Sequence, residues 1–307
     1  MIKFSAPGKV HLLGEHAVVY GKPALLVTVG LRVVITLTPC HSGRASLARM
    51  TKTIEPVVKK YLKIKTIPPY KLEMSSQLPI GAGLGSSAAI SAAYIAALLT
   101  FLKVNRNKAL VNGLTYQAEE IFHGNPSGGD NSTVVFGGLV WFRRETPDLK
   151  IIQPLPFSIS SKLSKNFILI NTGKPKETTR EMVRLVESRV KKQETKYRKI
   201  FDNQEELVKE LLTALKEGNE DKLIQIIRAG EKNLESLGVV SPFAKSIIRK
   251  IEQAGGAAKI CGGGGKTGPT GVLLAYHCNK NTLEKIAKSE KLPYFSTSLG
   301  VEGLRRE

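Results

Sequence analysis

Apolar residues along this chain follow two rhythms. Short runs rich in β-branched residues alternate with longer stretches in which apolar positions recur every three or four residues. Residues 2–6, 11–14 and 24–37 read as strands. Residues 50–62 read as a helix and 71–74 as extended chain. Helices are predicted over 86–102 and 108–122, and the segment FGGLVWF predicts a strand within 134–142. FILIN, at 167–171, reads as a buried strand. Three or four amphipathic helices then fill 178–253, with turn signals at Gly218-Asn219 and Ser241-Pro242. Late strands are predicted at 257–261, 271–275 and 293–298. A helical middle between two strand-bearing ends implies an α/β (α+β) chain of two lobes, residues 1–160 and 161–307. No internal repeat or low-complexity segment interrupts the pattern.

The longest apolar run, 88–102, is 15 residues and contains Ser, Tyr and Thr. It falls short of the ~20 needed to span a bilayer, so it predicts a buried helix and no membrane association. The first residues show no secretion signal. Three widely spaced cysteines, Cys40, Cys261 and Cys278, suggest neither a disulfide framework nor a zinc site and fit a reducing cytoplasm. The sequon Asn131-Ser132-Thr133 is accordingly read as chance.

Charge changes the picture more. The formal net charge is +20, and residues 32–71 carry nine Lys or Arg against one acid, Glu55. Such a surface attracts polyanions, nucleotides included. Aromatic residues are only 6%, and no RNA-binding aromatic signature or helix-turn-helix pattern is present, which argues against nucleic acid as the partner.

The candidate chemistry begins at PIGAGLGSS: Pro79, Ile80, Gly81, Ala82, Gly83, Leu84, Gly85, Ser86 and Ser87. Three glycines permit close backbone approach to a ligand, Ser86 or Ser87 can cap the next helix, and that helix's free amides make an anion site from backbone alone. The spacing fits neither a dinucleotide fingerprint nor the usual phosphate loop, which ends in Gly-Lys-Ser or Gly-Lys-Thr. A second cluster, GGGGKTG at 262–268, does end that way, but Ile260 stands where the phosphate loop requires glycine. It reads as a flexible turn beside the ligand. AEEIFHGNPSGGDN places Glu119 near a helix end and Asp130 after a turn. Magnesium prefers few protein carboxylates plus waters and phosphate oxygens, so Glu119 with the Ser87 hydroxyl is a candidate Mg²⁺ site. Asp130 is a candidate proton acceptor. Glu119 and Glu120 face different directions on a helix, so only one points inward.

In order along the chain, SAPGKVHLLGEHAVVYGKPAL (5–25), PIGAGLGSSAA (79–89), HGNPSGGDN (123–131) and the late glycine cluster resemble the GHMP kinase superfamily, and within it the mevalonate kinase family. The resemblance runs to about residue 275. Lys266-Thr267 depart from it, since the family carries smaller residues there. The resemblance implies a two-lobed fold, with a ribosomal-protein-like amino-terminal lobe that binds ATP and a ferredoxin-like carboxy-terminal lobe. It implies ATP-dependent, Mg²⁺-assisted phosphorylation of the 5-hydroxyl of mevalonate by a cytoplasmic enzyme, and it is compatible with a homodimer. Family roles fall on Asp130 as base with Lys9 beside it, on Ser87 and Glu119 for the metal, and on Glu15, His16 and Thr178 for mevalonate. Lys176 is a further candidate, for the substrate carboxylate. Phosphomevalonate kinases usually show Tyr where His16 stands, and galactokinase-like enzymes favour a pattern that this chain lacks. A nucleic-acid-binding protein on the same lobes would not require Asp130 or Glu119.

Overall fold

A computed structural model describes residues 1–40, 48–79, 83–124, 126–146 and 149–307. The elements run β1 (Ile2–Leu13), β2 (Ala24–Pro39), α1 (Ala48–Leu62), β3 (Tyr70–Ser76), α2 (Ser86–Phe101), α3 (Lys108–His123) and α4 (Gly129–Phe136). They continue with β4 (Leu139–Arg144), β5 (Lys150–Pro154), α5 (Ser161–Ser164), β6 (Phe167–Asn171), α6 (Thr179–Lys192), α7 (Glu194–Glu217), α8 (Glu220–Leu237) and α9 (Pro242–Gln253). The chain closes with β7 (Ala257–Ile260), β8 (Val272–Tyr276), α10 (Lys280–Ser289), β9 (Tyr294–Ser296) and β10 (Arg305–Arg306).

Two antiparallel sheets organise these elements. The first has the order β10-β1-β2-β4-β5, with β3 also paired to β2. The second has the order β7-β8-β6-β9. β1 is continuous where two strands were expected. Pro7-Gly8 sits inside it at a register shift, and a second shift follows His11. A bulge tolerates a proline and a glycine that a regular ladder would not. The strand expected across 134–142 is split: residues 134–136 finish α4, Gly137 at φ 84° ends it, and strand pairing begins at Leu139. Val134 and Val135 favour strands as single residues but are buried here on the helix, where packing overrides propensity.

α2 is apolar on every side, and every residue from Ala88 to Leu99 is buried. It packs on β1 and β2 and against α1, α3 and α4. An all-round apolar helix belongs at the centre of a core. Among the described residues no helix is long and apolar enough to cross a membrane. In the second sheet, Phe167 and Leu169 face the core that contains α2, while Ile168 and Ile170 face a separate core against α6, α9 and α10. This alternation is the period of two of a strand buried on both faces. The two sheets are thus joined through a shared core, and the last residues of the chain return to β1.

Candidate active site

The site assembles where β1, the start of α2 and the start of α4 converge. β1 presents Lys9, whose main-chain N–H donates to the Leu84 carbonyl at 2.9 Å. Gly85 lies against the Lys9 side chain at φ +69°, and a Cβ there would stand 2.9 Å from Lys9 Cγ. Only glycine satisfies both that angle and that approach. Gly85, not a serine, precedes the first turn of α2, and no side chain caps that helix. The free amides at its start therefore remain available to an anion, with the helix dipole in the same sense. Pro79 and Gly83 to Ser87 of the glycine-rich loop are described; Ile80, Gly81 and Ala82 lie outside the described residues.

Ser87 turns instead to the acids. Its hydroxyl donates to Glu119 Oε2 at 3.0 Å and lies 3.2 Å from His123 Nε2. Glu119 is buried and its Oε1 has no partner, whereas Glu120 is exposed. Burial pushes the Glu119 carboxyl up to about 7, with Asp130 adding to the rise and Ser87 and Lys9 opposing it. A buried carboxylate oxygen without a donor, beside a hydroxyl, is the environment a hard cation relieves. The residues present therefore fit Mg²⁺. No group of three or more His, Cys, Asp or Glu able to hold a metal occurs among the described residues. A magnesium ion carried on phosphate oxygens and water does not require one.

Asp130, the second residue of α4, is the junction. Lys9 Nζ lies 2.9 Å from its Oδ1, with the lysine side chain 5% exposed and the aspartate 37%. Two clefts meet at this residue. One, of about 930 Å³, is lined by Glu119, His123, Asp130, Arg180 and Arg184 among others. The other, of about 530 Å³, is lined by Lys9, His11, Lys174, Lys176 and the Gly262–Gly264 turn. Thr178 and Thr179 belong to both walls.

Of the remaining candidates, Thr178 lines both clefts. Thr178 caps α6 in a reciprocal box: its hydroxyl accepts from the Glu181 N–H at 3.3 Å, and its own N–H donates to Glu181 Oε2 at 2.6 Å. Glu15 and His16 are buried and line neither cleft. His16 Nε2 lies 3.1 Å from the carbonyl of Gly263, which does line one, and burial lowers the imidazole pKa. The glycine turn is packed rather than free-standing. Gly264 sits at φ +70° where a Cβ would come 2.1 Å from the Val239 carbonyl, and Gly265 N–H donates to that same carbonyl at 2.9 Å. The departing Thr267 gives both its N–H, at 3.1 Å, and its hydroxyl, at 2.9 Å, to Glu177 Oε1, tying the turn to the segment before Thr178.

Sequence reasoning missed three polar residues close by: half-buried His11 and the buried Glu231 and Lys259. Lys259 is fully buried and ion-paired to Glu15. Glu231 is fully buried on α8 and accepts the Ile260 N–H at 3.1 Å. Their signal was present as a lone charge inside an apolar strand (AAKI) and on the apolar face of a helix, positions where unpaired charge is costly.

Residues 48–138 match the GHMP kinases N terminal domain. The chain is 32% identical over 269 residues to the mevalonate kinase of Archaeoglobus fulgidus, covering 85% of this chain and 88% of that protein. Its fold superposes on L. major mevalonate kinase, solved with R-mevalonate, with a TM-score of 0.82 over 98% of this chain and 96% of that one, at 22% identity. A Streptococcus pneumoniae phosphomevalonate kinase shares the fold nearly as well, with a TM-score of 0.78 at 17% identity over 97% of this chain and all of that one. Fold alone therefore does not separate the two kinase families, but the identity to the Archaeoglobus fulgidus relative extends over 85% of this chain, and by it the chain belongs to the mevalonate kinase family of GHMP kinases.

Proposed function

We propose that the protein is a kinase that transfers the γ-phosphoryl group of ATP to the 5-hydroxyl of mevalonate, giving 5-phosphomevalonate and ADP. The observation that carries the reading is the Lys9–Asp130 pair at the junction of the two clefts. Phosphoryl transfer asks a protein chiefly to align two reactants and neutralise charge, so a charged pair between two cavities is where it belongs. In this reading the phosphates lie at the start of α2, against the loop from Pro79 to Ser87. Mevalonate occupies the cleft of Lys9 and the glycine turn, with Glu15, His16 and Thr178 on its side.

Asp130 receives the hydroxyl proton as the oxygen attacks phosphorus; in a loose transition state it need only be ionised and in reach. Lys9, buried and braced by Gly85, holds Asp130 and stabilises charge on the transferring group. Ser87 and Glu119 would hold Mg²⁺, which supplies charge neutralisation of the phosphates. The exposed lysines 174 and 176 give the cleft a cationic wall for the substrate carboxylate. Cys261 and Cys278 are free thiols, which suits a cytoplasmic enzyme. Nucleic acid has no part in this reading, and a homodimer is compatible with it.

A coupled assay of ADP release across mevalonate, phosphomevalonate and galactose tests the proposal. Turnover with mevalonate alone is expected. Turnover confined to either of the other two would replace the substrate, and turnover with none would overturn the reading.

A further inference from the structure

Under the glycine turn lies a buried lysine that the chemistry above does not use. Lys259 is 0% exposed in β7. Its Nζ donates to Glu15 Oε1, to the His11 carbonyl at 3.2 Å and to the Ile260 carbonyl at 2.6 Å. An ammonium group has three N–H bonds. Three acceptors take all of them, and Lys259 lines neither cleft. It has nothing left to offer a ligand.

We propose that Lys259 is a positioning residue for the substrate side of the site, clamping Glu15, the main chain of β1 at His11 and the start of the glycine turn into one arrangement. The proposal rests on the mevalonate kinase reading. Its three acceptors come from two segments, residues 11–15 and the strand of Lys259 itself. His11 lies two residues after Lys9 on β1, Glu15 follows the end of that strand, and Ile260 directly precedes the cleft-lining Cys261 and Gly262. Ile260 is held from both sides, since its N–H donates to Glu231 on α8.

The clamp takes one oxygen of Glu15 and leaves the other. Oε2 is buried with no partner. A native buried carboxylate oxygen rarely stays unsatisfied, so Oε2 is suited to a substrate hydroxyl that arrives later. Burial opposes the charge on Lys259, but Glu15, with Cys261 and Glu231 adding to it, offsets that and the ammonium pKa stands above its ordinary value. Lys259 therefore stays charged through the working range. The neighbouring residue gives independent support. His16 holds φ 60° and ψ −45°, a conformation that non-glycine residues rarely adopt, while its ring reaches the Gly263 carbonyl. Strain of that kind persists only where surrounding contacts fix the chain on both sides, and the Lys259–Glu15 contact fixes one of them.

The test is steady-state kinetics with ATP and mevalonate on the wild type, Glu15→Gln, Lys259→Met and the double variant. Lys259→Met is expected to raise the KM for mevalonate about tenfold or more, with the KM for ATP unchanged within about twofold. Glu15→Gln should do the same, and the double variant should be within about twofold of Glu15→Gln, since residues acting through one contact are not additive. A purely stabilising ion pair predicts a different result: a smaller active fraction, hence lower kcat with both KM values intact. That outcome overturns the clamp, as does a double variant whose two effects multiply. Should Lys259→Met fail to fold, the double variant leaves no unpaired buried charge and carries the comparison against Glu15→Gln; a further rise in mevalonate KM beyond about fivefold then overturns the proposal. A wild type inactive on mevalonate overturns the kinase reading together with the clamp, while an active wild type with the wrong variant pattern overturns the clamp alone.

Discussion

Asp130 and Glu119 are two carboxylates in one cleft with different surroundings. Asp130 is partly exposed and paired to Lys9, while Glu119 is buried beside Ser87 and lifted to about 7. Environments that differ in this way assign different roles. Asp130→Asn is expected to lower kcat by ~10²–10⁴-fold, the usual cost of losing a general base, with ATP binding nearly intact by titration calorimetry. Near-normal turnover in the folded variant would remove Asp130 from the chemistry. Glu119→Gln and Ser87→Ala should each raise the Mg²⁺ concentration needed for half-maximal rate, and Glu120→Gln should not, because Glu120 points to solvent. Equal effects at 119 and 120 in magnesium titrations would mean that the ligand lies elsewhere.

At the scale of elements, α8 brings Glu231 against β7, with no opposite charge of its own: Lys259 is spent on Glu15 and two carbonyls. Burial raises the Glu231 carboxyl well above its ordinary value, with Lys259 opposing. Below the unfolded carboxyl pKa both states hold the proton and the group costs nothing. Above it the unfolded chain ionises first, so stability falls as pH rises toward the folded value. Glu231→Gln should therefore raise Tm by an amount that grows from pH 5 to pH 8 in calorimetric scans, and a gain that shrinks over that range would refute the assignment.

These elements were unequally legible. FILIN and the four helices between α6 and α9 were readable because each carries a clean period of its own. The glycine-rich loop, Glu119 and Asp130 stood out as candidates because phosphate chemistry leaves glycines and acids close together in sequence. Lys259 lies 244 residues from Glu15, and no local pattern announces a pair closed by tertiary packing. β5 and β10 were missed because each is short and mostly polar or exposed, so its strand character comes from its neighbour in the sheet. Residues 134–136 were misread because the β-branched signal of Val134 and Val135 is weaker than the packing that holds them in α4.

The whole molecule carries a formal charge of +20, and both clefts have cations on their walls, Lys174 and Lys176 in one and Arg180 and Arg184 in the other. A field of this sign gathers any small anion and raises encounter rates, and salt screens it over ~8–10 Å at ordinary ionic strength. ATP, mevalonate and phosphomevalonate are all anions, so the field cannot choose among them. Choice must come from short-range contacts. The one proposed here is Glu15, whose unpartnered buried oxygen suits a neutral hydroxyl and would repel a phosphate. The two contributions separate in a salt series. Raising KCl from about 0.05 to about 0.5 M should lower kcat/KM for mevalonate several-fold while kcat holds steady, because screening acts on encounter. Glu15 and Lys259 are buried, and screening reaches them little. The preference for mevalonate over phosphomevalonate should therefore stay constant within about twofold across the series. A preference that collapses as salt rises would place specificity in the surface field and take it away from Glu15.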